Sequence, residues 1–415
     1  AVQPGSVDYW HDLIEANVRY PLLFATHGHI GEKVTLTEGH RGEFWIIYDT
    51  RDDEEQNDRG KDSDLWLIAS ADKASWQGPR RIVAVNSVAD DFDPVLIQDG
   101  RSRLVLTFAS DRSGRNELWL AMSNDGKSWQ RPRRIILRDS DGNELYDLVS
   151  PAVLQDSRGI YRLAAFHTES QRVMMSSSKD LLRWEQASFI ELPDMEPAYG
   201  WGDKVTLDYL EDNDGIYRLI VSPNFFYNSL AYLGSSTNAK DWQIRQADFS
   251  GHSHPSVIHA NDGRFAMMLS SAVDGSISEY PIHYAFQLSS KNWHTWDEPV
   301  HLPRLHYVAD HHMKPSAIYQ DREGYYWIAN HRHYGEQFQL YRVSEFPVKT
   351  ILGTFPPREN ASPYARNQLV REELMLEAMQ EGKDELASCL RSARHYQSCL
   401  DTGSDDAEKA WWRLW

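Results

Sequence analysis

The sequence predicts an all-β protein: a six-bladed β-propeller of four-stranded antiparallel blades, with a C-terminal α-helical appendage. Three observations predict it. The phrase "SNDGKSWQRPRRI" (Ser123 to Ile135) has a near copy, "SADKASWQGPRRI" (Ser70 to Ile82), 53 residues earlier. Six short apolar segments recur with starts 61, 57, 53, 51 and 60 residues apart. Each is followed by a polar turn and a second apolar run. A period of about 50 residues holding four strands is that of a propeller blade, which must stack on copies of itself to bury both faces.

The first strands are "EKVTLTE" (from Glu32), "DPVLIQD" (Asp93), "SPAVLQD" (Ser150), "DKVTLDY" (Asp203), "HPSVIHA" (His254) and "KPSAIYQ" (Lys314). Turns such as "QDGRSR" and "EDNDGI" come next, Gly/Asp/Asn-rich as hairpins require. The second strands run apolar ("EFWIIYD", "RLVLTFA", "YRLAAFH"), and the third carry "DLWLIAS", "ELWLAMS" and "LAYLGSS". A polar turn closed by Trp then leads to a fourth strand. "RYPLLFATH" (Arg19 to His27) has no unit of its own and is expected to supply the outer strand of the last blade, where no Trp turn occurs. The expected organisation is therefore an N-terminal segment with a ring-closing strand (1–28), a propeller (29–347) and a helical extension (348–415). In the last, Val370, Leu374 and Ala378 fall at i, i+4 spacing with Met375 and Met379 beside them, an amphipathic pattern suited to packing on the ring.

Composition bounds the function. The chain of 415 residues is 41% hydrophobic and 25% charged, a globular balance, with 15 Trp and 20 Tyr. Such aromatics pack between sheets and also build surfaces on which sugar rings stack. A formal charge of −18 argues against nucleic acid, whose binding depends on neutralising phosphates. No apolar run approaches the roughly 18 residues of a membrane span, so no membrane insertion is expected. The start "AVQPGSVDYWHDL" lacks a basic-then-apolar signal region, as a mature end left by signal cleavage or a cut end would. Cys389 and Cys399 either close a small disulfide loop or remain two thiols. A secreted or periplasmic location is expected.

Topology says where chemistry belongs. In a four-stranded meander, the first-to-second and third-to-fourth turns share one end of the blade. The other end gathers the residues before each first strand and those after each second strand. Glu32, Asp93, Ser150, Asp203, His254 and Lys314 open the first strands, and all but one carry ionisable groups where a core would prefer Val. Tyr146, Asp147, Trp201 and His312 lie nearby, while Arg51, Asp111, Arg112, His167, Arg332 and His333 end or succeed second strands. A solvated loop surface accounts for any one of them; the set converging on one mouth points to a site.

Ser-x-Asp-Gly-x-Ser-Trp (Ser123 to Trp129) resembles the Asp-box, or BNR repeat, of sialidases, and "SSKDLLRW" (Ser177 to Trp184) is similar to the corresponding turn of arabinanase and fructosidase propellers. The resemblance spans about Glu32 to Ser344 and implies architecture: the Asp folds the turn and the Trp packs between sheets. "DFDPVLIQD" is similar to an arabinanase strand opening. That resemblance implies Glu32, Asp93 and Asp203 as the acid, the base and an orienting or tuning group of a glycoside hydrolase, the three roles being unallotted among them. This chain has six units where that family has five. "VRYP" (Val18 to Pro21) looks like the arginine stretch of sialidases, with Arg332, Arg51 and Arg112 available for a carboxylate clamp. Finally, "DHHMKPSAIYQDREGYYWIANHRHYGE" (Asp310 to Glu336) resembles the His-rich blade of propeller polysaccharide lyases, which act on uronic-acid polymers. It implies His312 and His333 in elimination, with Arg332 or Lys314 neutralising the uronate.

The expectation is a carbohydrate-active enzyme cleaving glycosidic bonds of a glycan or polysaccharide. Glu32, Asp93, Asp203, His312 and His333 are the catalytic candidates. Arg51, Arg112, His167, Trp201, His254, Lys314 and Arg332 are the substrate-binding ones. Hydrolysis leads, elimination is second, and a non-catalytic glycan- or protein-binding propeller third. Neither chemistry requires a cofactor, though an acidic mouth suits a structural Ca²⁺.

Overall fold

The structure, a computed structural model, describes residues 22–25, 29–51, 63–193, 205–223, 230–249, 252–273, 282–298, 300–301, 313–332 and 337–347. The extension expected to be helical (348–415), with Cys389 and Cys399, lies outside them.

Six four-stranded antiparallel sheets form a ring. The inner strands are His29–Glu38, Asp91–Gln98, Leu148–Gln155, Val205–Glu211, His252–His259 and Met313–Gln320, in blades 1 to 6. Each packs on the next, and the sixth packs on the first. The second strands, Phe44–Arg51, Leu104–Ser110, Tyr161–His167, Tyr217–Pro223, Phe265–Val273 and Tyr326–Arg332, lie one position outward. Leu104–Ser110 and Tyr161–His167 are buried at every residue, which explains their continuous rather than alternating apolar character. Outer strands such as Arg133–Arg134 and Val300–His301 are only two residues long, which limits the exposed edge. In blade 6 the outer strand is Leu22–Ala25, which pairs antiparallel with Gln337–Val343 in the register Leu22↔Leu340. The two ends of the propeller sequence thus share one sheet.

Each junction between blades holds its own apolar cluster. Leu65, Ile82, Leu96 and Phe108 join blades 1 and 2; Val105, Val153 and Leu163 join blades 2 and 3. Phe166 and Tyr217 serve blades 3 and 4, Ile220 and Met267 blades 4 and 5, and Met268 and Ile328 blades 5 and 6. Blade 6 meets blade 1 through Trp327, whose ring centroid is 4.8 Å from that of Phe44. With each such side chain contributing about 1.5–3 kcal/mol on burial, blade stacking dominates the favourable side of folding.

Polar groups then fix the register between blades. Thr35 Oγ1 accepts Leu96 N–H, Asp93 Oδ2 accepts Ser150 N–H, and Ser150 Oγ–H donates to the Val205 carbonyl. Asp208 Oδ2 accepts Val257 N–H, Ser256 Oγ accepts Ile318 N–H, and Tyr319 Oη accepts Glu38 N–H. These six bonds stitch every inner strand to its neighbour.

The repeated phrase folds the turns away from the mouth. Asp125 Oδ1 accepts the backbone N–H groups of Lys127 (2.8 Å) and Ser128 (2.7 Å), while Ser123 Oγ accepts those of Asp125 and Gly126. Asp72 and Asp180 repeat this, and those backbone donors hold all three carboxyls below the ordinary carboxylate value. Asn238 and Asn292 make the same bonds with an amide oxygen, so blades 4 and 5 keep the turn without a charge. The residue after the acid or amide is left-handed at Lys73 (φ 61°), Gly126 (φ 69°), Leu181 (φ 65°) and Ala239 (φ 59°). At Gly126 an added Cβ would also collide with the Trp45 indole. Gly126→Ala is expected to cost about 2–4 kcal/mol, summing left-handed strain and overpacking, read as a lowered urea midpoint.

Candidate functional site

The mouth is built where the inner strands bulge. Ladder pairing breaks between Ile30 and Val34, Phe92 and Val95, Val149 and Ala152, and Ser253 and Ser256. Two of these bulges carry non-glycine residues in left-handed conformation, Asp93 (φ 52°) and Ser150 (φ 51°), with Asp147 (φ 55°) just upstream of the second. Such backbone states cost about 1–3 kcal/mol each and persist only where surroundings impose them.

Asp93 is 6% exposed, and its Oδ2 accepts Ser150 N–H at 2.9 Å and lies 3.3 Å from Ser150 Oγ, whose hydrogen goes to the Val205 carbonyl. Its own N–H donates to Asp49 Oδ2 at 3.3 Å, and Asp49 is fully buried. A hydrogen-bonded track therefore crosses four blades: Asp49 in blade 1, Asp93 in blade 2, Ser150 in blade 3 and the Val205 carbonyl in blade 4.

Lys33 of blade 1 reaches across to blades 3 and 4. Its Nζ donates to the carbonyls of Pro151 and Leu207, each at 3.1 Å, and lies 3.8 Å from Asp208 Oδ1. Burial pushes the Asp208 carboxyl up, against the opposing pull of Lys33 and of Val257 N–H. Counted back from the hairpin pairs Glu38↔Phe44 and Gln98↔Leu104, Lys33 and not Glu32 occupies the place of Asp93. The bulge of blade 1 is one residue longer, and sequence alignment of the openings misses that.

The other sequence-derived candidates fall into three groups. The backbones of Glu32, Arg51, His254, Lys314 and Arg332 stand at mouth ends of inner or second strands, while their side chains lie outside the described residues, as do Asp203, Trp201, His312 and His333 altogether. Arg112 is described and engaged. Its Nε and Nη2 donate to Asp91 Oδ1 at 3.0 and 2.8 Å, Nη2 also reaches the Val85 carbonyl, and the guanidinium lies over Trp119 at 4.9 Å. Asp91 is fully buried, so this pair braces the loop into blade 2 rather than presenting a fork to a ligand. His167 is 8% exposed, with Nδ1 2.6 Å from Ser170 Oγ and its ring against Phe189. Burial pulls its imidazole below the ordinary histidine value despite Glu169 and Asp147. Among the described residues no group of three or more His, Cys, Asp or Glu is arranged to hold a metal ion, and no helix is long and apolar enough to cross a membrane.

Asp49, Lys33 and Asp208 were not apparent as site residues in the sequence. The one signal for Asp49 was an acid inside "FWIIYD", a strand otherwise apolar on both faces.

Six four-stranded blades closed by an N-terminal strand, with the inner-strand openings gathered at one end of the ring, make this a six-bladed β-propeller. The solved structures similar to it include a variant of the NanB sialidase of Streptococcus pneumoniae, 13% identical over 80% of this chain and 71% of that one, with a TM-score of 0.57. The intramolecular trans-sialidase of Ruminococcus gnavus is 12% identical over 79% and 96% of the two chains, with a TM-score of 0.52. A protein of unknown function from Dyadobacter fermentans is 14% identical over 79% and 99%, with a TM-score of 0.57. At these identities the likeness is one of fold. No protein-family model and no curated protein matches the sequence.

Proposed function

We propose that the protein is a carbohydrate-active enzyme that cleaves glycosidic bonds at the propeller mouth, a glycoside hydrolase working with carboxylates from the inner-strand openings. The observation that supports this best is Asp93. A buried carboxylate on a left-handed bulge, held by the backbone N–H of the neighbouring blade, is more order than a blade junction needs, since the junctions of blades 1 and 2 and of blades 5 and 6 are stitched by Thr35 and Ser256 on regular strand. A reacting carboxylate does need it, because misplacement by about 1 Å costs about 10²-fold in rate. A carboxylate at an inner-strand opening suits activation of water or attack on the sugar. Glu32 and Asp203 are the proposed partners, one of them protonating the leaving oxygen. His254, Lys314, Arg51, Arg332 and Trp201 are the proposed substrate contacts. The Ser-x-Asp/Asn turns are read as Asp-boxes with a structural part only, and the location as secreted or periplasmic.

A panel of neutral and acidic polysaccharides and terminal glycosides tests this. New reducing ends without ultraviolet absorbance are the expected result. Reducing ends accompanied by the absorbance of an unsaturated uronate would transfer the site to His312 and His333 and to elimination. Retention on an immobilised glycan with no cleavage would leave a binding module.

A further inference from the structure

We infer that Lys33 is a positioning residue of the mouth, a tie from blade 1 that crosses the ring and holds the inner strands of blades 3 and 4. The inner strand of blade 1 packs on those of its neighbours, blades 2 and 6. Lys33 goes further. Its Nζ donates to the carbonyls of Pro151 in blade 3 and Leu207 in blade 4, each at 3.1 Å. Blade 4 stands opposite blade 1 in a closed ring of six, so the side chain crosses the space that the inner strands enclose.

Register shows why these two strands gain from a tie. Three residues before the end of each inner strand, counted from the hairpin pairs, stand Thr35, Val95, Ala152, Asp208, Ser256 and Ala317. Thr35, Asp208 and Ser256 each accept a backbone N–H of the following blade. Val95 and Ala152 have no polar side-chain atom to offer, and the blades that follow them are 3 and 4. Those are the two that Lys33 serves. Asp93 and Ser150 stitch the same junctions two residues nearer the mouth. An inner strand turns one backbone edge to the middle of the ring, and an edge carbonyl away from bulk water needs a donor.

The group facing Lys33 fits this part. Asp208 is an acid where Thr35 and Ser256 make the same bond with a hydroxyl. Its Oδ2 takes Val257 N–H, and its second oxygen, which a hydroxyl lacks, lies 3.8 Å from Lys33 Nζ. The Lys33 and Asp208 side chains are 16% and 22% exposed, so both are largely covered. The two carbonyl bonds need only N–H donors, and the tie holds whichever form Asp208 takes. Pro151 lies within the bulge of blade 3, next to Ser150, whose N–H reaches Asp93 Oδ2. Lys33 therefore acts on the mouth through this bulge. The bearing on catalysis rests on the proposed hydrolysis, but the test needs no substrate.

Deuterium exchange of the full chain is followed by mass spectrometry in wild type, Lys33→Met and Lys33→Arg. Lys33→Met is expected to speed exchange about tenfold in Leu148–Gln155 and Val205–Glu211, with Asp91–Gln98 of the intervening blade 2 unchanged. Lys33→Arg, which keeps donors of similar reach, is expected to restore protection. Faster exchange spread over all blades would mean general loosening and overturn the tie. Unchanged exchange in blades 3 and 4, or an Arg variant no better than Met, overturns it as well. If Lys33→Met does not fold, ¹⁵N NMR of the lysine ammonium groups in the wild type decides. Lys33 is expected to give a slowly exchanging signal that vanishes in Lys33→Arg, with buried Lys73 as the control. A Lys33 signal lost to solvent exchange overturns the tie. Absence of glycan cleavage would sink the hydrolase reading and leave these measurements standing.

Discussion

Under the proposed glycoside hydrolysis, Asp93→Asn is expected to lower turnover by about 10²–10⁴-fold, the range of a positioned acid or base, with little change in stability. The asparagine oxygen still accepts Ser150 N–H, and the left-handed bulge at φ 52° tolerates Asn as well as Asp. The stitch between blades 2 and 3 therefore survives while the charge does not. Ser150→Ala is the matched control. It removes the hydroxyl that donates to the Val205 carbonyl but leaves a carboxylate, so it is expected to reduce turnover less and stability more. Turnover in Asp93→Asn above about a tenth of wild type, at unchanged melting temperature, would remove Asp93 from the chemistry.

Lys73→Met is expected to give the largest loss of stability, about 3–5 kcal/mol, because it leaves buried charge without its partner. Lys73 is 8% exposed and joins blade 1 to blade 6: its Nζ is 2.6 Å from Glu38 Oε1, 3.2 Å from Asp321 Oδ2 and 3.4 Å from Glu323 Oε1. Burial works to lower its ammonium, but the bonds from Glu38 and Asp321 outweigh this and hold it above the ordinary lysine value. The contribution is thus complete below the unfolded lysine value and lost only as pH rises through the raised one, in strong alkali. Asp321 keeps Arg342 and Trp327 Nε1–H as partners, whereas Glu38, 5% exposed, retains only Arg322 N–H among the described residues. Glu38→Gln in the Lys73→Met background is therefore expected to return much of the loss. Urea denaturation of the two single variants and the double variant measures the coupling. A ring held by strand pairing and aromatic packing alone would show a loss under about 1 kcal/mol, as for a surface pair.

Much of the architecture behind these two residues was legible in the sequence. Blade number and strand order could be read because burial on both faces imposes apolar runs, and tight turns impose Asp, Asn and Gly at fixed offsets. The Ser123 to Trp129 phrase showed its structural part for the same reason: the turn needs an acceptor for two backbone N–H groups. Asp93 stood out as a charge opening a buried strand. The equivalence drawn between Glu32 and Asp93 did not hold in register, where Lys33 takes that place. Arg112 stood in the right loop, yet whether a guanidinium faces outward or a buried acid depends on Asp91, 21 residues away in sequence.

The sequence by itself determined the repeated blade, its period and the end of the ring where ionisable groups collect, since these stem from short-range rules of burial and turn geometry. Only the tertiary structure decided which groups meet. The track from Asp49 through Asp93 and Ser150 to Val205 joins residues 44, 57 and 55 positions apart. Such meetings are set by bulge length and by the rotation of one blade on the next. A one-residue change in a bulge reverses the direction of a side chain while leaving the apolar pattern nearly intact.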